Sequence, residues 1–196
     1  MKKTIIKTAV ITLVALIVAS GVLFGILCLC APATMRDFFY DAGNYQTAMN
    51  FAERACEKNE TPENIKKATD VAILTGDSDN ITLYCKKLLN CAKNGEISLT
   101  VDYVYYVAGK FSVALCEKQN FENAVNVAIE YSKGYGKLNP TESVILWGIE
   151  NKNVQLLNTV LAKLTEFKQN NYDKLEQVCK DRLNTDIANL TAYLNG

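Results

Sequence analysis

Twenty-eight consecutive residues, Thr8 through Met35, carry no charge, and Lys2, Lys3 and Lys7 stand just ahead of them. About 20 apolar residues in a helix span a bilayer. Ala9–Leu29 meets that length with no interruption stronger than Thr12, Ser20 and two glycines. Residues 1–31 therefore read as cytoplasmic lysines followed by a transmembrane anchor, and residues 32–196 as a helical domain beyond it. The three lysines mark the cytoplasmic flank, because Lys and Arg accumulate on that side. The domain is expected outside the cytoplasm, on a single-pass chain in the cell membrane.

A secretory signal competes for the same segment. Such signals have an apolar core of 7–15 residues and a small-x-small cleavage site. Ala31-Pro32-Ala33 supplies the second requirement, and cleavage after Ala33 would release a secreted or surface-bound ligand-binding or structural domain. The apolar core is 21 residues, longer than a signal needs. Leu27 and Leu29 stand where a lipoprotein signal requires a small residue before Cys28 or Cys30. Length thus favours an uncleaved anchor. Within it Gly21 and Gly25, with Ala15 and Ala19, place small residues four apart on one face, where two helices can approach closely and form a homodimer.

Beyond Lys7, eighteen Lys and Arg face twenty-one Asp and Glu, a net charge of −3. Nucleic-acid binding needs clustered basic charge, so it is not expected, and no polybasic stripe for anionic lipid stands out. The chain has no histidine, which removes His-based triads, His-liganded zinc and the commonest general base. The seven cysteines include no CxxC pair. Cys85 and Cys91, six apart on one expected helix, point to different faces and cannot bridge. The cysteines read as buried reduced thiols, with a long-range disulfide as the alternative that an exported domain permits. Acids scattered along helix faces, such as Glu53 and Glu57, read as solvated charge, so neither enzymatic activity nor a cofactor is expected. The sequons at Asn80 and Asn189 carry weight only in a eukaryotic secretory pathway.

The domain reads as all-α. Thr61-Pro62-Glu63 and Asn139-Pro140-Thr141-Glu142 each set a capping side chain before a proline at the first helical position. Gly76, Gly95, Gly134 and Gly136 mark helix ends and turns. Tyr45, Ala48, Met49, Ala52, Ala55 and Cys56 recur at helical spacing, as do Phe121, Ala124, Val125, Ala128 and Ile129. Ser98–Tyr106 has strand-like composition but continues into helical periodicity, and is expected to be helix.

Gly43-Asn44-Tyr45-x-x-Ala48-Met49, with Ala55 following, resembles the turn and second helix of a tetratricopeptide repeat. Weaker copies begin at Gly76-Asp77, at Gln119-Asn120-Phe121 and at Lys152-Asn153-Val154. The turn positions are separated by 33, 43 and 33 residues, against about 34 for the family. The family's early Trp-x-x-Leu-Gly signature is missing; Met35 and Phe39, then Phe111 and Leu115, occupy part of it. The resemblance covers about residues 33–165 and implies a superhelix of about four helix pairs. Tyr172–Leu194 follows as a capping helix on Leu175, Val178, Leu183, Ile187 and Leu190.

Such stacks bind peptides or helices along a concave face made by the first helix of each pair. The resemblance places Asp37, Tyr40, Lys66, Asp70, Tyr106, Val113, Leu146 and Glu150 on that face. Tyrosine suits protein contacts because it offers large area with few rotamers to freeze. Of Tyr103, Tyr105 and Tyr106, two are expected to pack within their own helix pair. With the first helix starting at Pro32, the partner is expected to be a membrane-proximal protein. By analogy with membrane-tethered repeat proteins, the role is that of an accessory scaffold in export or envelope assembly.

Overall fold

In the computed structural model, residues 2–132 and 139–196 are described, with side chains from Val10 onward. Gly134 and Gly136, expected at a turn, lie outside the described residues. Every regular element described is helical. Two compact units divide the chain, Met1–Thr75 and Gly76–Gly196.

The first unit opens with α1 (Lys2–Cys30). Its segment Val10–Cys30 is long and apolar enough to cross a membrane and lies open along its whole length. A single residue, Ala31, separates it from α2 (Pro32–Asp41). The proline falls at the first turn of α2, where its missing N–H costs no hydrogen bond. Gly43 at φ +73° then turns the chain into α3 (Tyr45–Lys58). Asn44 caps α3 by accepting a hydrogen bond from the Thr47 amide at 3.1 Å. The apolar stripe of α3 is buried as its spacing requires, with Ala48, Met49, Ala52, Ala55 and Cys56 packed inside. α4 (Pro62–Thr75) packs on α3 and completes the unit. Thr61 caps it through the Asn64 amide at 3.2 Å.

The second unit begins at Gly76, φ +71°, followed by α5 (Ser78–Lys93), which Asp77 caps through the Asn80 amide at 2.9 Å. α6 (Val101–Glu117) packs against α5, α7 (Phe121–Glu130) and α8 (Pro140–Glu150), so it occupies the centre of the unit. α9 (Val154–Asn171) lies on α7 and α8 and carries α10 (Gln177–Asn195) on its outer side. Leu156, Leu157, Val160 and Leu164 of α9 are fully buried, each stabilising the unit by about 1.5–3 kcal/mol. Cys85, Cys91 and Cys116 are buried and form no disulfide. Burial pushes the Cys116 thiol up to about 12.

Three helix–helix turns share one geometry, which also closes the end of α5, where Glu96 N–H donates to Cys91 and Gly95 N–H to Ala92. Asn44 N–H donates to Phe39 and Gly43 N–H to Tyr40. In the same way Asn120 donates to Leu115 and Gln119 to Cys116, and Asn153 to Gly148 and Lys152 to Ile149. Each is a Schellman closure with a left-handed residue after the helix. Gln119 (φ +57°) and Lys152 (φ +51°) hold that conformation without being glycine. The four positions read from the sequence as repeat turns, 43, 76, 119 and 152, all have positive φ, and the residue after each stands as the helix cap.

Two expectations need adjustment. Ser98–Thr100 precede the helix; α6 starts at Val101, with Thr100 as its cap. The terminal helix does not begin at Tyr172, where a 3-10 turn spans Tyr172–Lys174 before α10 starts at Gln177. At this junction the Asn171 side-chain amide donates to the Phe167 carbonyl at 3.0 Å, a local bond that competes with helix continuation. Val178, expected on the apolar face, is 78% exposed, because five steps from Leu183 turn it roughly 140° away.

Candidate partner-binding groove

The eight residues expected on a concave face fall in both units: Asp37, Tyr40, Lys66 and Asp70 in the first, Tyr106, Val113, Leu146 and Glu150 in the second.

In the first unit polar side chains link α2 to α4. Arg36 is only 4% exposed and donates to Asp37 Oδ1 at 2.8 Å and to Asn64 Oδ1 at 3.0 Å. Lys67 of α4 stands 3.8 Å from the same Asp37 oxygen. Partial burial works against the Asp37 charge, but the hydrogen bond and charge of Arg36, aided by Lys67, hold its carboxyl below the usual range. Lys66 and Asp70 pair with each other at 3.3 Å. Tyr40 remains exposed and meets Tyr45 edge-on, ring centroids 5.7 Å apart. The charges expected on this face thus compensate one another, leaving Tyr40 as its exposed aromatic.

In the second unit α6 and α8 form the walls of an open groove of about 440 Å³. Tyr106 and Val113 contribute from α6 and Leu146 from α8, with Tyr106 49% and Leu146 54% exposed. Glu150, at the end of α8, is exposed but does not line the groove. Tyr105 does, while Tyr103 is half-buried with its ring 6.4 Å from that of Tyr106. Lys110 lies over the Tyr106 ring at 5.8 Å.

Two glycines absent from the turn reading set the width of this region. A Cβ on Gly109 would stand 3.0 Å from Ser143 Oγ, so α6 and α8 approach closely there. Gly148 does the same for α8 against α9. An isolated glycine inside an apolar helix is the signal that identifies such contacts.

Polar groups fix the groove's α8 end. Asn139 Oδ1 accepts from the Thr141 amide at 3.0 Å and the Thr141 hydroxyl at 2.6 Å, and also from Ser132. All three residues are buried, so the start of α8 is held by a closed knot at its N-terminus. Arg182 of α10 reaches Glu142 at 2.6 Å on the first turn of α8. A second groove of about 400 Å³ lies between α5 and α7 over Phe111 and Leu115. It carries the Lys93–Glu130 ion pair at 3.0 Å, whose hydrogen bond raises the Lys93 pKa. Among the described residues no group of three or more His, Cys, Asp or Glu side chains is arranged to hold a metal ion. Protein-family models, characterised proteins and solved structures provide no match to this chain.

Proposed function

We propose that the chain is a membrane-anchored, extracytoplasmic scaffold of tetratricopeptide-like helix pairs that binds a segment of a membrane-proximal protein in the α6/α8 groove. It acts without catalysis or cofactor, as an accessory factor of the kind that serves export or envelope assembly. The observation that carries the reading is the groove itself. Tyr106 and Leu146 stay about half exposed on adjoining helices in a cleft that closely approaching backbones keep narrow. Exposed aromatic and aliphatic side chains in a concave site are what a peptide's apolar residues bury against.

The repeat reading is supported by the three identical turns, by the packing of α6 on α8, and by the side-chain contacts that link α2 to α4. The anchor reading is supported by the length of α1. The competing cleavage after Ala33 would cut inside the first turn of α2 and remove Pro32, which is buried there.

Site-specific photocrosslinking in the native membrane tests the groove. A crosslinker at position 106 or 146 should capture the same protein, and one at position 178, exposed but outside the groove, should not. L146D should abolish capture from position 106. Equal capture from all three positions removes the groove from the mechanism. Sequencing the mature N-terminus addresses the anchor: a chain beginning at Thr34 leaves a released domain.

A further inference from the structure

α3 carries its charges on two opposite flanks. Taking Phe51 as the origin, Arg54 and Lys58 lie within roughly 60° of it, while Glu53 and Glu57 lie roughly 200–240° around the helix. The buried stripe runs between them. The basic flank is also the aromatic one. Arg54 sits over the Phe51 ring at 5.3 Å, Phe51 stacks on Phe39 at 5.5 Å, and Phe38 meets Phe39 edge-on at 5.3 Å. Phe38 is 57% exposed. On α2 it points away from Arg36 and Asp37, the residues that join α4. Phe38 therefore lies on a side of α2 other than the one that joins α4.

At its base this flank meets α1. Lys58 Nζ donates to the Cys30 carbonyl at 2.7 Å. A helix leaves its last carbonyls without partners inside the helix and carries partial negative charge there, and Lys58 supplies both a donor and a cation. The ammonium has three protons, so this bond leaves it capacity for a further acceptor. Cys30 is the last residue of the membrane-length segment, which places Lys58 at the level where that segment ends.

We infer that this flank, Phe38 with Arg54 and Lys58, is a docking surface for the headgroup region of the same bilayer that α1 enters. The inference rests on the anchor reading above. Anionic phosphates meet the two cations, and Phe38 enters the interface beside them, where aromatic side chains accumulate. Two cations do not make a polybasic stripe, and alone they would bind weakly. Here α1 already holds the unit at the surface, so the flank needs only to set its orientation. Lys58 acts as a positioning residue that joins the hairpin to the end of α1.

The test uses the full chain in phosphatidylcholine vesicles with and without phosphatidylglycerol. A W147F background removes the chain's one tryptophan, and F38W or E57W then reports from one flank of the hairpin. Circular dichroism checks that each variant is folded. With lipid brominated near the glycerol, emission from F38W should fall by more than about half and that from E57W should change little. Adding R54E and K58E should restore the F38W emission, and phosphatidylglycerol should deepen its quenching. Equal quenching of F38W and E57W, or none for F38W in vesicles that retain the chain through alkaline carbonate, overturns the inference and leaves the anchor intact. A chain that carbonate extracts refutes the anchor, and this inference with it.

Discussion

Replacing Gly148 by alanine should destabilise the second unit, although alanine is the better helix former. In a helix interior the exchange gains about 1 kcal/mol from propensity. Against it, a Cβ at position 148 would stand 2.6 Å from Leu157 Cδ2, 3.1 Å from Leu157 Cγ and 3.4 Å from Leu156 Cδ2. Carbon pairs prefer about 3.5–4.0 Å. Both leucines are fully buried, so neither can swing into solvent, and overpacking of this kind costs about 1–3 kcal/mol. The net expectation is a loss of about 1 kcal/mol, with about 2 as the upper bound. Gly109 is the control. Its nearest neighbour is Ser143 Oγ at 3.0 Å, on a half-buried side chain that can rotate, so G109A should be neutral or gain up to about 1 kcal/mol. Urea titration of the chain in detergent micelles, followed at Trp147, reads the second unit directly. L157A alone should cost about 2–5 kcal/mol, and adding G148A to it should restore part of that loss as the new methyl enters the vacated space. A G148A protein as stable as the wild type, or strictly additive single effects, would show that the α8–α9 contact is not closed by Gly148.

Glycine at Gln119 or Lys152 should stabilise the second unit by about 0.5–1 kcal/mol, because a side chain at positive φ costs about 1–2 kcal/mol and glycine returns only part of that as entropy; thermal unfolding of Q119G and K152G reads this, and two destabilised variants would contradict it. The lowered Asp37 pKa contributes stability that is fully present above its unfolded value of about 3.9 and is lost as pH falls through the lower folded value. D37N should therefore flatten the acid limb of the first unit's stability below about pH 4, and an unchanged limb would detach that limb from this ion cluster. On α1, Cys28 lies on the Gly21/Gly25 face and Cys30 roughly opposite. If two copies pair through that face, mild copper-phenanthroline oxidation in vesicles should yield a dimer that C28S or G21I/G25I abolishes and C30S retains. A dimer that depends on Cys30 instead would reject that face.

The turns and helix starts were legible because their signals are local. A left-handed residue followed by a capping Asn or Asp and an apolar stripe is encoded within about ten residues, so positions 43, 76, 119 and 152 could be picked out even where glutamine or lysine replaces glycine. Thr61-Pro62 and Asn139-Pro140 announced their helices for the same reason. The end of α9 was less legible, since a side-chain bond such as that of Asn171 to the Phe167 carbonyl competes with the helix in a way composition does not reveal. Val178 misled because an apolar residue within helical spacing of others still depends on which side of its helix finds a neighbour.

For the groove, Tyr106, Val113 and Leu146 were readable from a repeat register, and the structure brings them together on α6 and α8. Glu150 stands outside that cleft, Lys66 and Asp70 pair with each other four residues apart, and Asp37 is held by Arg36 and by Lys67 of α4.

By itself, the sequence determined the membrane-length segment, the helical class and the places where the chain turns, because each depends on residues within one or two helical turns of each other. Only tertiary structure decided which helices adjoin, where Gly109 and Gly148 let backbones close, and that Phe38, Arg54 and Lys58 share an edge ending at the Cys30 carbonyl. Phe38 comes from α2 and Arg54 and Lys58 from α3, helices that pack together in a unit whose core includes Met35, Met49 and Ala52. Packing, which acts between segments distant along the chain, carries that information.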